Sequence, residues 1–501
     1  MSSKILKIIK IFMVILFGVG NIFASNLNLK STSSAIKIDA GANLNIENAT
    51  STSKGKIIRE TNGTIEGSSI TFEEGKLEEE GGKVNISGTL TPGIENKIFL
   101  NGNQKFEGKL GQILQAIKIR GKGNLLSGNL ILSDDVDLLD ENSSLSVDLY
   151  SKLTSNLKLN GGSLVLLHDL DFTDFKRVVG PGKISLNGNR LSFGAKELNW
   201  SEDVSFQNAA EVQICANTNL NSIWSFAGSN NILEGNRSIF CLGGSGKIIV
   251  ERGSSLLIKN MILRDIWEHG IFCMDDSATI TFQNVKFYQS QDYTFSIGHF
   301  EVVDKFDIYG GYKFTYKSFR QSKILSHSNL YLDKNVTFSY DPPIANKELI
   351  LFQDASSSLY LGGATLHSTL TGMHFKKGTM LIDRFSHLSC EKTENTDIGI
   401  IFGNDRSEDD FICQFLGNSI LELIAGSLKY RNVNRSSWCM ENMLSYLRIS
   451  SGCNLYLYQN LNLDLGHILF QGSNWIYYIP GKKIIGSTNV LGYVGYQELL
   501  D

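Results

Sequence analysis

The chain has 501 residues, of which 48 are Gly and only 5 are Pro, with 42% hydrophobic, 10% aromatic and 20% charged side chains and a formal net charge of −4. Collagen requires Gly at every third position with abundant Pro, and disordered chains combine low hydrophobicity with high charge, so both classes are excluded. The acidic balance, with no Lys/Arg run of five or more, also removes the usual electrostatic driver for binding nucleic acid or anionic membranes.

The N-terminal segment, residues 1–24, carries Lys4, Lys7 and Lys10, then an apolar run over residues 11–20, then Ile22 and Ala24 at the −3 and −1 positions. This is the three-part layout of a secretory signal peptide. Cleavage after Ala24 is expected, because the run is short of the ~20 residues that span a bilayer. No later stretch reaches the roughly 18 consecutive apolar residues of a spanning helix, so no transmembrane segment is expected after signal removal. The expected location is exported: periplasmic, cell-surface or extracellular.

Beyond the leader, the strand signal is period-2 alternation in short pieces closed by Gly, Asn, Asp or Ser. Examples are Lys83-Val-Asn-Ile-Ser-Gly88, Gly182-Lys-Ile-Ser-Leu-Asn-Gly188, Ala278-Thr-Ile-Thr-Phe282 and Asn454-Leu-Tyr-Leu-Tyr458. Related strings recur at an interval. Lys259-Asn-Met-Ile-Leu263 aligns with Gln283-Asn-Val-Lys-Phe287 and with Lys334-Asn-Val-Thr-Phe338, placing Asn260, Asn284 and Asn335 one interval and then about two intervals apart. Asn187-Gly-Asn-Arg-Leu-Ser-Phe193 matches Glu234-Gly-Asn-Arg-Ser-Ile-Phe240, again about two intervals on. A repeat of about 22–25 residues is a coil length for an all-β parallel β-helix, a solenoid in which each coil contributes two or three short strands. Asn260, Asn284 and Asn335 are expected to form a ladder, since Asn tolerates left-handed φ and stacked amides bond to one another. Proline scarcity agrees, because a Pro inside a strand paired on both sides deletes a ladder hydrogen bond.

The regular β-helix is expected over residues 25–340, ending at Asp341-Pro-Pro343. A less regular continuation over residues 341–430 contains the acidic string Asn404-Asp-Arg-Ser-Glu-Asp-Asp410, which reads as an inserted loop. Residues 431–501, rich in Tyr and Trp, read as a cap over the last rung, and residues 438–447 as a possible short helix. The seven cysteines all lie between Cys215 and Cys453. Their odd number leaves at least one unpaired within the chain, none has zinc spacing, and single buried thiols are the preferred reading, with the pairing open.

On coil length, the N-G-N and K/Q-N-[MV] strings and composition, the chain resembles the broad class of secreted right-handed parallel β-helix proteins, which includes autotransporter passengers, adhesins and pectin-degrading lyases and hydrolases. The resemblance covers most of residues 40–340. It implies a fold and no particular activity. Pectin-degrading members carry N-T-D, D-D and G-H-G strings in order; here Asp275-Asp276 is present, Glu268 stands where the first Gly before His269 belongs, and no N-T-D occurs. Autotransporters also end in a membrane barrel, whereas this sequence ends Glu498-Leu-Leu-Asp501 without a run of amphipathic barrel strands. A released, periplasmic or partner-held protein is therefore expected.

One repeat interval leads from Glu251-Arg252 to Asp275-Asp276, and a second equal step leads to His299. On a constant coil, Glu251, Asp275 and His299 form a column with neighbours about 4.8 Å apart, flanked by Arg252 and Asp276. Paired carboxylates at that separation suit acid and base or nucleophile roles on a glycosidic bond, and Arg with a carboxylate-bound cation suits β-elimination from a uronate. The competing reading is a solvated turn face of stacked unlike charges. Asp134-Asp-Val-Asp137, Asp169-Leu-Asp171 and Asp409-Asp410 offer oxygen ligands for Ca²⁺ between coils, or are ordinary acidic turns; His168 reads as a turn residue.

The expected function is therefore that of an exported, non-enzymatic β-helix with a surface, adhesin-like or structural binding role toward a glycan or protein surface. The alternative is a polysaccharide lyase or glycoside hydrolase acting on acidic glycans.

Overall fold

The computed structural model describes residues 116–499, except 174, 195, 392–398, 407, 409, 487–488 and the side chain of 130; before residue 116 it gives only backbone strands, such as Gly82–Ile86. The leader expected at residues 1–24 and Asp409 lie outside the described residues. The chain is an all-β parallel β-solenoid. It divides into two compact units, one comprising residues 1–218 and 222–233 and the other residues 219–221 and 234–501. The division falls beside Leu233, whereas the sequence suggested a boundary at Asp341-Pro-Pro343.

In the first unit, alternation builds the rungs. Ser144–Leu149 buries Leu145, Val147 and Leu149 and turns the intervening residues outward. Ile117 pairs with Val136, Val136 with Leu157 and Leu157 with Val178, so each pairing closes one coil and three coils follow with nearly equal lengths. Asn closes corners through left-handed backbone: Asn160 and Gly161 (φ 44° and 88°) let Gly162 N–H reach Leu159 O at 2.7 Å, and Asn187 and Gly188 (φ 51° and 81°) let Asn189 N–H reach Leu186 O at 2.9 Å. Inside, Trp200 packs edge-on against Trp224 at 5.0 Å and Phe206 stacks on Phe226 at 5.1 Å.

The second unit has three faces of parallel strands. One sheet of nine strands runs from Tyr293–Phe295 to Val490–Leu491, and one of six from Met373–Phe375 to Gly495–Glu498. A third face carries the longest strands, Ser255–Ile266, Thr279–Gln289 and His299–Tyr309. Coil length varies: Thr279 lies opposite His299, which closes a short coil, and Phe385 lies opposite Ile420, which closes a much longer one. The constant coil expected from the repeat is thus corrected. Only rung residues are held in register, and corner loops lengthen into solvent without disturbing it.

Residues 438–447 are not helical. Trp438–Met440 is a strand with Trp438 and Met440 buried, residues 441–445 turn, and Tyr446–Ile449 is the next strand. Helical spacing would have buried Met443 or Leu444 beside Trp438 and Met440, yet these are 67% and 57% exposed. Residues 431–501, read from sequence as a cap, carry rungs of their own up to Gly495–Glu498, which pairs with Trp475–Tyr478. Cys273, Cys390, Cys413 and Cys453 are buried, and burial pushes the thiols of Cys273 and Cys390 up to about 12 and about 11. Among the described residues no helix is long and apolar enough to cross a membrane.

Candidate functional site

The residues expected to form an acid and base column meet only in part. Val250 pairs with Cys273 and Ser255 with Thr279, so residues 251–254 do lie over residues 274–278. Arg252 Nε meets Asp275 Oδ2 at 3.1 Å, and Asp275 Oδ1 accepts from Ser277 N–H at 3.0 Å and Ser277 Oγ at 2.7 Å. The Ser277 bonds, with help from Arg252, hold the Asp275 carboxyl below the usual range. Glu251 contributes its carbonyl, which accepts Ser254 N–H at 3.1 Å. Asp276 is half-buried beside this turn.

His299 is out of the column. The corner before it has three residues, 296–298, where the preceding corner has five, 274–278, so His299 lies opposite Thr279 rather than Asp275. Its Nε2 bonds Thr279 Oγ1 at 2.9 Å, and burial, reinforced by Lys323 and Arg320 against Glu301, keeps the imidazole below its ordinary pKa. An ionised, turn-capping carboxylate and a neutral, hydrogen-bonded imidazole on different columns do not form an acid and base pair.

The other acidic strings are likewise engaged in holding coils. Lys158 bridges Asp135 at 2.8 Å and Asp137 at 3.7 Å. Burial opposes ionisation of Asp135, yet the Lys158 and Asn156 bonds outweigh it and hold the carboxyl low. Asp169 Oδ1 accepts Arg190 N–H at 2.9 Å, and Asp410 accepts the N–H groups of Val433 and Asn434 at 3.0 and 2.6 Å. His168 Nε2 meets Asp148 Oδ1 at 3.0 Å and its ring packs 4.9 Å from Tyr150. Among the described residues no group of three or more His, Cys, Asp or Glu is placed to hold a metal ion.

The more distinctive arrangement lies on the outer face of the three long strands. Each is bent near its middle by a left-handed residue, Asn260, Asn284 or Asp304, with φ of 53°, 53° and 54°, and the first strand has a second at Asp265 (φ 57°). The mid-strand residue resets the alternation: Lys259 and Asn260 both face outward before Met261 is buried, and Gln283 and Asn284 do the same before Val285. Asn284 Nδ2 reaches Asn260 Oδ1 at 3.5 Å and Asp304 Oδ2 at 3.4 Å, while Gln283 Nε2 donates to Asp304 Oδ2 at 2.8 Å. The ladder is therefore Asn260, Asn284, Asp304. Asn335 sits at a different corner, between Asn329–Leu332 and Thr337–Tyr340, where its N–H donates to Gly363 O at 3.1 Å. Sequence matching by Asn missed Asp304 because Asp adopts the same backbone without sharing the letter.

On the third long strand two residues, Asp304 and Lys305, stand opposite Asn284, so Lys305 is the extra residue of a bulge. Arg237, Asn260, Asn284, Lys286, Lys305 and Asp307 line a groove of about 440 Å³. Lys286 and Asp307 are cross-strand partners on neighbouring rungs. Burial raises the Asp307 carboxyl pKa, although Lys305 and Lys286 pull it down. Among the described residues, no ion pair within 4.0 Å engages Arg237, Lys286 or Lys305.

A tyrosine ladder borders the groove. Tyr288 and Tyr309 stack at 4.6 Å and 13°, Tyr331 and Tyr360 follow at ring distances of 5.8 and 5.0 Å, and Arg264 covers the near end, 5.5 Å from Tyr288. The hydroxyls of Tyr331 and Tyr360 donate to Asp333 at 2.8 Å and Asp383 at 3.2 Å. Tyr288 and Tyr309 stack face to face, so each covers a ring face of the other. Comparison with protein-family models, curated proteins and solved structures found no match for this chain.

Proposed function

We propose that this protein is an exported, non-enzymatic β-solenoid that binds a surface partner through the outer face of its long-strand sheet. The observation that carries the reading is the groove lined by Arg237, Lys286 and Lys305, none of which has an acidic partner within 4.0 Å among the described residues. Some other cations of the second unit are paired internally, as Lys259 is by Glu234 at 3.0 Å and Lys376 by Glu348 at 2.8 Å. A solenoid gains stability rung by rung and needs no ligand to fold, so three cations without an ion pair on one stack of rungs are available to a group outside the chain. The leader pattern of residues 1–24 supports export.

The test is an array of glycans and extracellular proteins probed with the full chain, alongside fractionation of cells expressing it. Reproducible capture by an array feature and recovery outside the cytoplasm are expected; no reproducible partner, or retention inside, overturns the reading. The enzymatic alternative has one observation in its favour, the raised carboxyl of Asp307 beside two lysines. Release of fragments from captured acidic glycans would convert the binding reading into that one.

A further inference from the structure

We propose that the chain is N-glycosylated at three corners of the solenoid, on Asn142, Asn236 and Asn335, by a transferase that reads an acidic residue two positions before the acceptor. This rests on the export proposed above and is independent of the groove. The sequence supplies the first argument. Asn-x-Ser/Thr, the acceptor string for N-glycosylation of exported chains, occurs eight times. Five of the eight carry Asp or Glu two residues earlier: Glu60-Thr-Asn-Gly-Thr64, Asp140-Glu-Asn-Ser-Ser144, Glu197-Leu-Asn-Trp-Ser201, Glu234-Gly-Asn-Arg-Ser238 and Asp333-Lys-Asn-Val-Thr337. Acids make up 51 of 501 residues, so composition alone predicts fewer than one such string. The first lies outside the described residues, and Asn199 stands within the strand Leu198–Trp200, which leaves three at described corners.

The corners supply the second argument. Asn142 precedes the strand Ser144–Leu149, Asn236 separates Asn231–Glu234 from Ile239–Leu242, and Asn335 separates Asn329–Leu332 from Thr337–Tyr340. All three are exposed, and among the described residues their side-chain amides make no hydrogen bond. Asparagines that serve the fold differ: Asn231 Nδ2 donates to Gly228 O and Asn432 Nδ2 to Phe411 O, each at 2.7 Å. A sugar on an exposed corner amide displaces no packing and enters the space into which loops already lengthen. Nor does one structural task explain the acids. Asp140 caps its own turn by accepting Asn142 N–H at 3.0 Å, Glu234 pairs with Lys259 at 3.0 Å, and Asp333 accepts the Tyr331 hydroxyl at 2.8 Å.

The step joins Asn Nδ2 to the anomeric carbon of a sugar carried on a polyprenyl diphosphate. The N–C bond forms, the bond from that carbon to the diphosphate oxygen breaks, and its electron pair leaves with the diphosphate. One amide proton passes to a base of the transferase. The carboxylate two residues earlier offers a charge-assisted contact to a transferase cation. Ser238 is buried in the folded coil, so transfer to Asn236 precedes closure of that coil.

The test isolates the full chain from the cells that make it, fractionates those cells, and analyses the peptides by mass spectrometry under conditions that retain sugars. Glycosylated peptides are expected for Asn142, Asn236 and Asn335 and not for Asn434, whose string lacks the acid. Asp333→Asn should lower occupancy of Asn335 about tenfold or more through the lost charge-assisted contact, leaving Asn142 and Asn236 as they were. Asp333→Glu should keep it, since Glu holds the same position before Asn236. Sugar-free peptides from protein recovered outside the cytoplasm overturn the inference and leave export standing; sugar-free protein retained inside overturns both. Occupancy of Asn335 that survives Asp333→Asn, or equal occupancy of Asn434, shows that the acid is not read and overturns the inference. An unchanged circular dichroism spectrum of Asp333→Asn establishes that the fold is retained.

Discussion

Asn284 illustrates how much one residue does here. Its φ of 53° bends the strand without ending it, so Thr279–Gln289 keeps its neighbours on both sides while crossing a corner. Left-handed backbone costs a β-branched residue about 1–2 kcal/mol, whereas Gly adopts it freely. Asn284→Val is therefore expected to lower the urea-unfolding free energy by roughly that amount, and Asn284→Gly to change it by only a few tenths of a kcal/mol. Equal losses for Val and Gly would mean that the side-chain amide matters rather than the backbone. At this scale the sequence was partly legible. The Asn260 and Asn284 strings marked the corner, but Asp304 carries the same backbone role under another letter, and Asn335 carries the same letter at another corner. Lys305 left no sequence signal, because a bulge is a property of two strands compared and not of one read alone.

At the scale of the element, alternation made the strands readable and left their alignment open. Gly182–Ser185, Thr279–Gln289 and Asn454–Leu457 all fall where period-2 strings predict. The candidate column of Glu251, Asp275 and His299 required a constant coil, and a shorter corner before His299 together with the strand offset moved it to Thr279. What holds neighbouring elements in register is the packing of like side chains inside. Phe282 and Phe306 stack at 4.1 Å with rings 3° from parallel, and Phe306 also packs edge-on against Phe287 at 5.7 Å. Phe306 is fully buried. Truncating a buried aromatic ring costs about 3–5 kcal/mol through lost transfer and the cavity left behind. Phe306→Ala should show a loss of that size in urea unfolding, and Phe306→Leu a loss under about 1.5 kcal/mol if the site repacks around a similar volume. A small effect for Ala would mean the stack is incidental to the register.

For the whole molecule, the consequence of a solenoid is that each rung answers mainly to the rungs beside it. Contacts are made coil to coil, so stability is close to a sum of coil terms and nearest-neighbour terms, and damage stays near its origin. This sets the solenoid apart from a globular core, in which one cavity lowers the protection of every slow amide alike. Phe306→Leu is a mild enough lesion to test it within the second unit. Hydrogen exchange followed by mass spectrometry should show faster exchange over Thr279–Gln289, His299–Tyr309 and Asn329–Leu332, the strands paired with or next to the altered rung. The rungs Tyr446–Ile449, Asn454–Leu457 and Trp475–Tyr478, many coils away, should exchange as in the unaltered chain. Uniform acceleration across both regions would mean the second unit unfolds as one cooperative body. Local acceleration would also explain how a chain remains ordered when one coil is as short as that from Thr279 to His299 and another as long as that from Phe385 to Ile420. Each irregular corner then perturbs only its own neighbours, so the long-strand face can carry a bulge and three cations without an ion pair, and the far rungs are not weakened.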